Sequence, residues 1–218
     1  MFSISLPRAE NIILISIKME DINKTKNWKP DEARFSFFRA PITNKVPSRT
    51  MGLREAGTYI ASLQAKESTE QVRRAETSQH ARRVKNRLLD YVTFGGVFSR
   101  CEDSGLLAAS ELVCIDFDHL GDMDQLCRTK SILLADPYFE TELLFTSPSG
   151  DGVKWVTHID LARCDFRTWY RAISNYLKQT YGLTADSSGV NISRACYLPH
   201  DPEVFVNPIL LSNSQTKP

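Results

Sequence analysis

An α+β fold is expected for this chain of 218 residues on three observations. Short apolar runs bounded by Gly, Pro, Ser and Asp read as strands. Two longer stretches repeat apolar residues at helical spacing. From residue 111 onward these elements follow one another as strand, helix, strand, strand, helix, strand. The composition suits such a core, with 42% of residues apolar and 24% charged, ordinary values for a water-soluble globular protein. The length fits one large domain or two small ones.

In chain order, "NIILISIKM" (11–19) and "ARFSFFRAPI" (33–42) read as strands. Residues 67–90 read as helical and put Arg73, Arg74, Arg82, Arg83, Lys85 and Arg87 on a mostly polar helix. "YVTFGGVFSR" (91–100) is an aromatic strand interrupted by Gly95 and Gly96, the mark of a bulge or a close backbone approach. "ELVCIDFD" (111–118) is the next strand. "DMDQLCRTKSILLADP" (122–137) reads as a helix through Met123, Leu126, Cys127, Leu133 and Leu134, with Pro137 past its end. "FETELLFTSPSG" (139–150) and "GVKWVTHI" (152–159) make a hairpin. "CDFRTWYRAISNYLKQTY" (164–181) is the clearest helix. Its stripe of Phe166, Trp169, Tyr170, Ile173, Tyr176, Leu177 and Tyr181 is core. "ISRACYLP" (192–199) is one more strand, and "NSQTKP" a polar, frayed tail. From residue 111 the order is the β-α-β-β-α-β of ferredoxin-like and RNA-recognition-type folds.

Net charge is +1, but it is divided unevenly. Residues 1–100 hold 18 Lys and Arg against 10 Asp and Glu, and residues 101–218 hold 9 against 16. That split suggests a basic surface for a polyanion beside an acidic region able to bind metal. The basic helix would supply phosphate contacts that do not depend on nucleic-acid sequence; a merely solvated face is its plain alternative. No apolar run approaches the ~18 residues of a membrane span. "NIILISIKM" lacks the layout of a signal peptide. A cytoplasmic protein with no membrane partner is therefore expected. The five cysteines form no CxxC pair, so no structural zinc site is suggested and reduced thiols are expected. Cys114 is expected simply to pack near the core.

Chemistry enters at "CIDFDHL" (114–120), where two carboxylates sit in a strand that should be buried. A charge is costly to bury without a partner. Alternation puts Val113, Ile115 and Phe117 on one face and Cys114, Asp116 and Asp118 on the other. The carboxylates then lie ~7 Å apart along the backbone, and a cation between them relieves their repulsion. Mg²⁺ or Mn²⁺ suits such hard oxygen ligands together with nucleotide phosphates. The plain alternative is one Asp as a cap and the other exposed at the strand end. In "SPSGDGVK" (147–154) the hydroxyls of Ser147 and Ser149, the backbone at Gly150 and Gly152, and Lys154 are suited to an anion. Further on, Asp186 would complete a three-carboxylate site, and Arg194 would hold a triphosphate in a bidentate way.

These blocks, in this order, resemble the archaeo-eukaryotic primase superfamily of primase-polymerases. That superfamily carries an acidic DxD or DxE motif on a strand, an s-x-H motif on a hairpin and a later acidic residue. The chain is more closely similar to the VirE N-terminal-like, primase-like domain of replication proteins from bacterial mobile elements. "VTFGGVF" (92–98), "SGLL" (104–107) with the aspartate strand after it, "SPSGDGVK" and the "D…ISR…DP" segment (186–202) carry that likeness, over roughly residues 85–208. The resemblance implies a primase-polymerase fold, with an RRM-like catalytic unit at 101–211. A basic α/β unit at 1–100 would pack on it, with a flexible tail at 212–218. It implies a nucleotidyltransferase that uses two Mg²⁺ or Mn²⁺ ions held by Asp116, Asp118 and Asp186. Ser147, Ser149, Gly150, Gly152, Lys154 and Arg194 would bind the incoming NTP or dNTP. Arg73, Arg74, Arg82, Arg83, Lys85 and Arg87 would bind a single-stranded DNA template, and a replicative helicase would be the partner. Lys154 stands where many members have His; lysine binds phosphate but does not shuttle a proton as imidazole does. Two other readings stay open. A nuclease would use Asp151, Lys154 and Asp116, and a primase fold without turnover would only bind nucleotide or nucleic acid.

Overall fold

A computed structural model describes residues 28–212. The strand expected at 11–19 and the tail at 213–218 lie outside the described residues. The architecture is α+β, built on antiparallel strand pairs. One sheet has the strand order β2-β1-β3-β9, with β1 at Phe35–Phe38, β2 at Arg49–Met51, β3 at Tyr91–Thr93 and β9 at Cys196–Tyr197. A second has the order β10-β7-β8-β6, with β6 at Leu112–Phe117, β7 at Thr141–Thr146, β8 at Val153–His158 and β10 at Phe205–Val206. A small hairpin pairs β4 (Gly96–Phe98) with β5 (Leu106–Ala109). The helices are α1 (Leu53–Ala61), α2 (Lys66–Arg73), α3 (Ser78–Leu88), α4 (Met123–Leu134), α5 (Phe166–Tyr181) and α6 (Pro208–Ser212).

Alternation along β6 divides the core as expected. Val113, Ile115 and Phe117 join Trp155 of β8, Leu126 and Leu133 of α4, and Trp169, Ile173 and Leu177 of α5. Leu112, with Cys114 against it, faces the other way, into a core of Phe35, Phe37, Val92, Ile60 and Val156. The second sheet therefore carries α4 and α5 on one face and looks toward α1 and the first sheet with the other. Asp116 and Lys154 lie on that inner face, at one end of the strands.

Several elements depart from expectation. The basic stretch is two helices, because α2 ends at Arg73 and Thr77 caps α3 by accepting a hydrogen bond from the His80 N–H at 3.1 Å. On α4 the buried residues are Leu126, Thr129 and Leu133, while Met123, Cys127 and Leu134 are exposed. Asp122 caps that helix and so sets its start. The stripe of α5 is core, with Tyr176 and Tyr181 at its partly buried margin. Gly95 and Gly96 mark close approaches: an added Cβ would lie 2.3 Å from the Ile192 and Ala108 carbonyl oxygens respectively.

The last strand is the largest departure. The order β7-β8-β6 matches three strands of the β-α-β-β-α-β sheet, but the fourth does not join them. Cys196–Tyr197 pairs instead with Tyr91 and Val92 of β3. Beside β6 runs the irregular segment after α5, held by the Asp186 N–H donating to the Asp116 carbonyl at 2.8 Å. Ser187–Val190 coils there into a short 3-10 turn, which cannot extend a ladder. Strands between residues 35 and 93 thus share one sheet with Cys196–Tyr197.

Candidate metal and nucleotide site

The acidic cluster is assembled by three separate segments. Asp116 lies in β6, Asp118 just past its end, and Asp186 in the loop after α5. One carboxylate oxygen from each lies within 4.8 Å of the others. Asp186 is positioned from both sides. Its carboxylate accepts from the Ser188 N–H at 2.9 Å and from the Ser188 hydroxyl. Its carbonyl accepts the Tyr170 hydroxyl of α5 at 2.5 Å. Glycine is needed at 189 because a Cβ would come within 2.4 Å of that Tyr170 hydroxyl.

Lys154 faces Asp116 directly across the β6–β8 ladder, and its ammonium donates to Asp116 Oδ2. The Lys154 side chain is 10% exposed and that of Asp116 19%, so the pair is largely desolvated. Burial alone would lower the lysine, but the Cys196 sulfur, Asp116 and Cys114 around it hold its pKa above the ordinary value. Asp116 Oδ1 is buried and has no hydrogen-bond partner. Such an atom carries a desolvation cost that an added cation would relieve. Burial first, and the neighbouring Asp116 next, raise the Asp118 pKa. Burial would raise Asp186 too, but the Ser188 hydrogen bonds, Arg194 and Lys154 bring it below the usual carboxylate value. Three carboxylates, one with an unused buried oxygen, fit a hard divalent ion such as Mg²⁺ or Mn²⁺. A cavity of about 30 Å³ lined by Asp116, Lys154, Asp186 and Arg194 opens beside them.

The 147–152 turn is seated on the end of β6. A Cβ at Gly152 would lie 2.5 Å from the Phe117 carbonyl oxygen and 3.3 Å from Asp118 Cα. The Leu120 N–H donates to the Asp151 carbonyl at 2.8 Å. Within the turn both serine hydroxyls and the Gly150 N–H are committed. The Gly150 N–H bonds the Ser147 carbonyl at 3.0 Å, the Ser147 and Ser149 hydroxyls meet at 3.0 Å, and Ser149 donates to Asp151 at 2.5 Å. Buried Ser147 thus shapes the turn, and exposed Ser149 lies at its surface. Asp151 also meets His119 Nδ1 at 2.9 Å. His119 has φ +57°, an uncommon conformation for a residue other than glycine. Nothing in the periodicity singled it out; only its place next to Asp118 does.

The basic residues divide between surfaces. Lys85 is half-buried and feels Lys154, Asp118, Asp116 and Arg194; burial and then Lys154 lower its pKa. Its ammonium sits 5.5 Å from the Tyr197 ring centre. Arg82, one turn earlier, also acts on Tyr197. Arg73 reaches the turn, with its Nε 3.3 Å from where a Gly150 Cβ would be. Arg194 bonds Asp186 at 3.4 Å with half of its side chain exposed. Arg83 and Arg87 instead line a cleft with Ile42, Gln71 and His80. Arg74 is spent on an exposed ion pair with Glu70 at 2.7 Å, one turn back on its own helix.

The family model described as the N-terminal domain of BT4734-like proteins matches residues 83–205, more than half of the chain. The chain belongs to the BT4734-like N-terminal domain family. The BT4734-like region begins within α3 and ends at β10. It includes all three acids, the 147–154 hairpin and Arg194, whereas Arg73, Arg74 and Arg82 precede it. No curated protein and no solved structure matches the chain. Among the described residues, no helix is long and apolar enough to cross a membrane.

Proposed function

We propose that this chain is a primase-polymerase-type nucleotidyltransferase domain with a primase-like fold, copying single-stranded DNA from NTPs or dNTPs in the replication of a bacterial mobile element. The observation that carries the reading is the meeting of Asp116, Asp118 and Asp186 with a buried, unpartnered carboxylate oxygen on Asp116, beside a cavity that Lys154 and Arg194 also line. The acids would hold Mg²⁺ or Mn²⁺, which when bound supplies charge neutralisation for a triphosphate and an acidified hydroxyl nucleophile. Lys154 donates to Asp116 Oδ2 and so holds that carboxylate in place. Arg194 offers fixed positive charge to phosphate oxygens, and Lys85 stands beside the same acids. Arg73, at the hairpin turn, extends that charge toward a template. A replicative helicase remains the expected partner.

A second reading, a primase fold that binds without turnover, is favoured by the Lys154–Asp116 ion pair. That pair neutralises one acid without any metal, and lysine replaces the histidine seen in many relatives of the resemblance. The nuclease reading has less support. Lys154 bonds Asp116, while Asp151 is held by Ser149 and His119.

Labelled-nucleotide incorporation on single-stranded DNA, with and without primer and in Mg²⁺ or Mn²⁺, tests the proposal. Wild type is expected to form product, and Asp116→Ala/Asp118→Ala to lose ~10²-fold or more. Equal incorporation by both proteins would falsify the assignment. DNA binding with no product from wild type would favour the binding module.

A further inference from the structure

We infer that Cys114 and Cys196 form a reversible dithiol–disulfide pair that can staple the second sheet to the first beneath the acidic cluster. Cys114 lies in β6 and Cys196 in β9, strands of different sheets with no ladder between them. Their sulfurs are 3.9 Å apart although the residues are 82 positions apart in sequence. Cys196 is 4% exposed, and Cys114 is packed against the same core. The two sulfurs meet where β6 and the two-residue strand β9 come together. Both line the small cavity that also holds Asp116 and Lys154. Its volume of about 30 Å³ admits a molecule of water size, and hydrogen peroxide is of that scale.

The chemistry balances with a peroxide as oxidant. One thiol attacks hydrogen peroxide, the O–O bond breaks, and sulfenic acid and water form. The second thiol then attacks the sulfenic sulfur, the S–O bond breaks, and a disulfide and a second water form. Two thiols and one peroxide thus give one disulfide and two waters. Disulfide formation would bring the sulfurs from 3.9 Å to ~2.05 Å. Because Cys114 precedes Asp116 by two residues on the same face, the bond would fix the strand that carries the acids.

A peptide map of the folded wild-type chain after mild peroxide treatment, without reductant, decides the matter. Fragmentation must resolve the cysteines, because Cys101, Cys114 and Cys127 lie close in sequence. The expected result is one cross-link joining Cys114 to Cys196, a loss of two hydrogen masses, and two of the five thiols protected from alkylation. Dithiothreitol should restore all five, and Cys114→Ser or Cys196→Ser should each abolish the cross-link. Five alkylatable thiols after treatment, cross-links only to other cysteines, or separate over-oxidation of Cys114 and Cys196 would overturn the inference. The wild-type map is decisive even if a variant folds poorly, and it does not depend on nucleotide transfer.

Discussion

At the scale of single residues, the site turns on one buried ion pair. Asp116 and Lys154 are paired because the β6–β8 register sets them opposite each other. Such a pair is weak evidence for stability as a whole, but removing one partner strands the other charge. Lys154→Met is therefore expected to lower unfolding stability by about 3 kcal/mol in urea titrations without divalent ion. Adding Mn²⁺ should recover part of the loss in the variant, because the cation would replace the missing ammonium beside Asp116. An unchanged midpoint would show that the pair is energetically idle. The DxD alternation was legible in sequence, since the period of a strand is fixed. That Lys154 would bond Asp116 was not, because cross-strand register is a property of two segments.

At the scale of elements, the hairpin turn and the basic helices shape the cleft. Gly152 leaves room for the Phe117 carbonyl. Gly152→Ala is expected to push the turn off β6 and cost about 1–3 kcal/mol, read by chemical unfolding. The same variant should weaken Mn²⁺ binding, because Asp118 lies under the turn. On α3, Arg82 and Lys85 look toward Tyr197 and the acids, and Arg83 and Arg87 toward Ile42. Arg83→Ala/Arg87→Ala should leave metal binding intact. If that face carries DNA, each lost phosphate contact should flatten the slope of log affinity against log salt by ~0.7 for a single strand. An unchanged slope would remove it from the template path. Residue spacing revealed a basic stretch but not that it breaks at 74–77 into two helices with different outlooks.

At the scale of the whole molecule, the two sheets share one core, β9 pairs with β3 and β10 pairs with β7. Glu142 of β7 lies beside the β7–β10 pairing, where its carbonyl accepts the Asn207 N–H at 3.0 Å. It is 1% exposed, next to Asn207, and burial with Glu140 nearby pushes its carboxyl up to about 8. Between the ordinary value of 4.5 and about 8, the folded state holds a proton that the unfolded chain has released. Stability supplied by this group is full below that window and is lost as pH rises through it. Glu142→Gln should keep the neutral form at every pH. Its unfolding midpoint should thus fall less than that of wild type between about pH 5 and about pH 9. Parallel curves for the two proteins would overturn this account.

The sequence by itself determined the α+β class, the helical stripe of α5, the inner and outer faces of β6 and the residue types of the site. Each of these follows from a local period or from the chemistry of one side chain. Tertiary structure alone decided that the loop carrying Asp186 lies beside β6, while the strand expected at 192–199 pairs elsewhere. It also decided that β9 crosses to the other sheet and sets Cys196 against Cys114. Those outcomes depend on which edges remain free once the sheets have paired, and no periodicity within a segment records that competition.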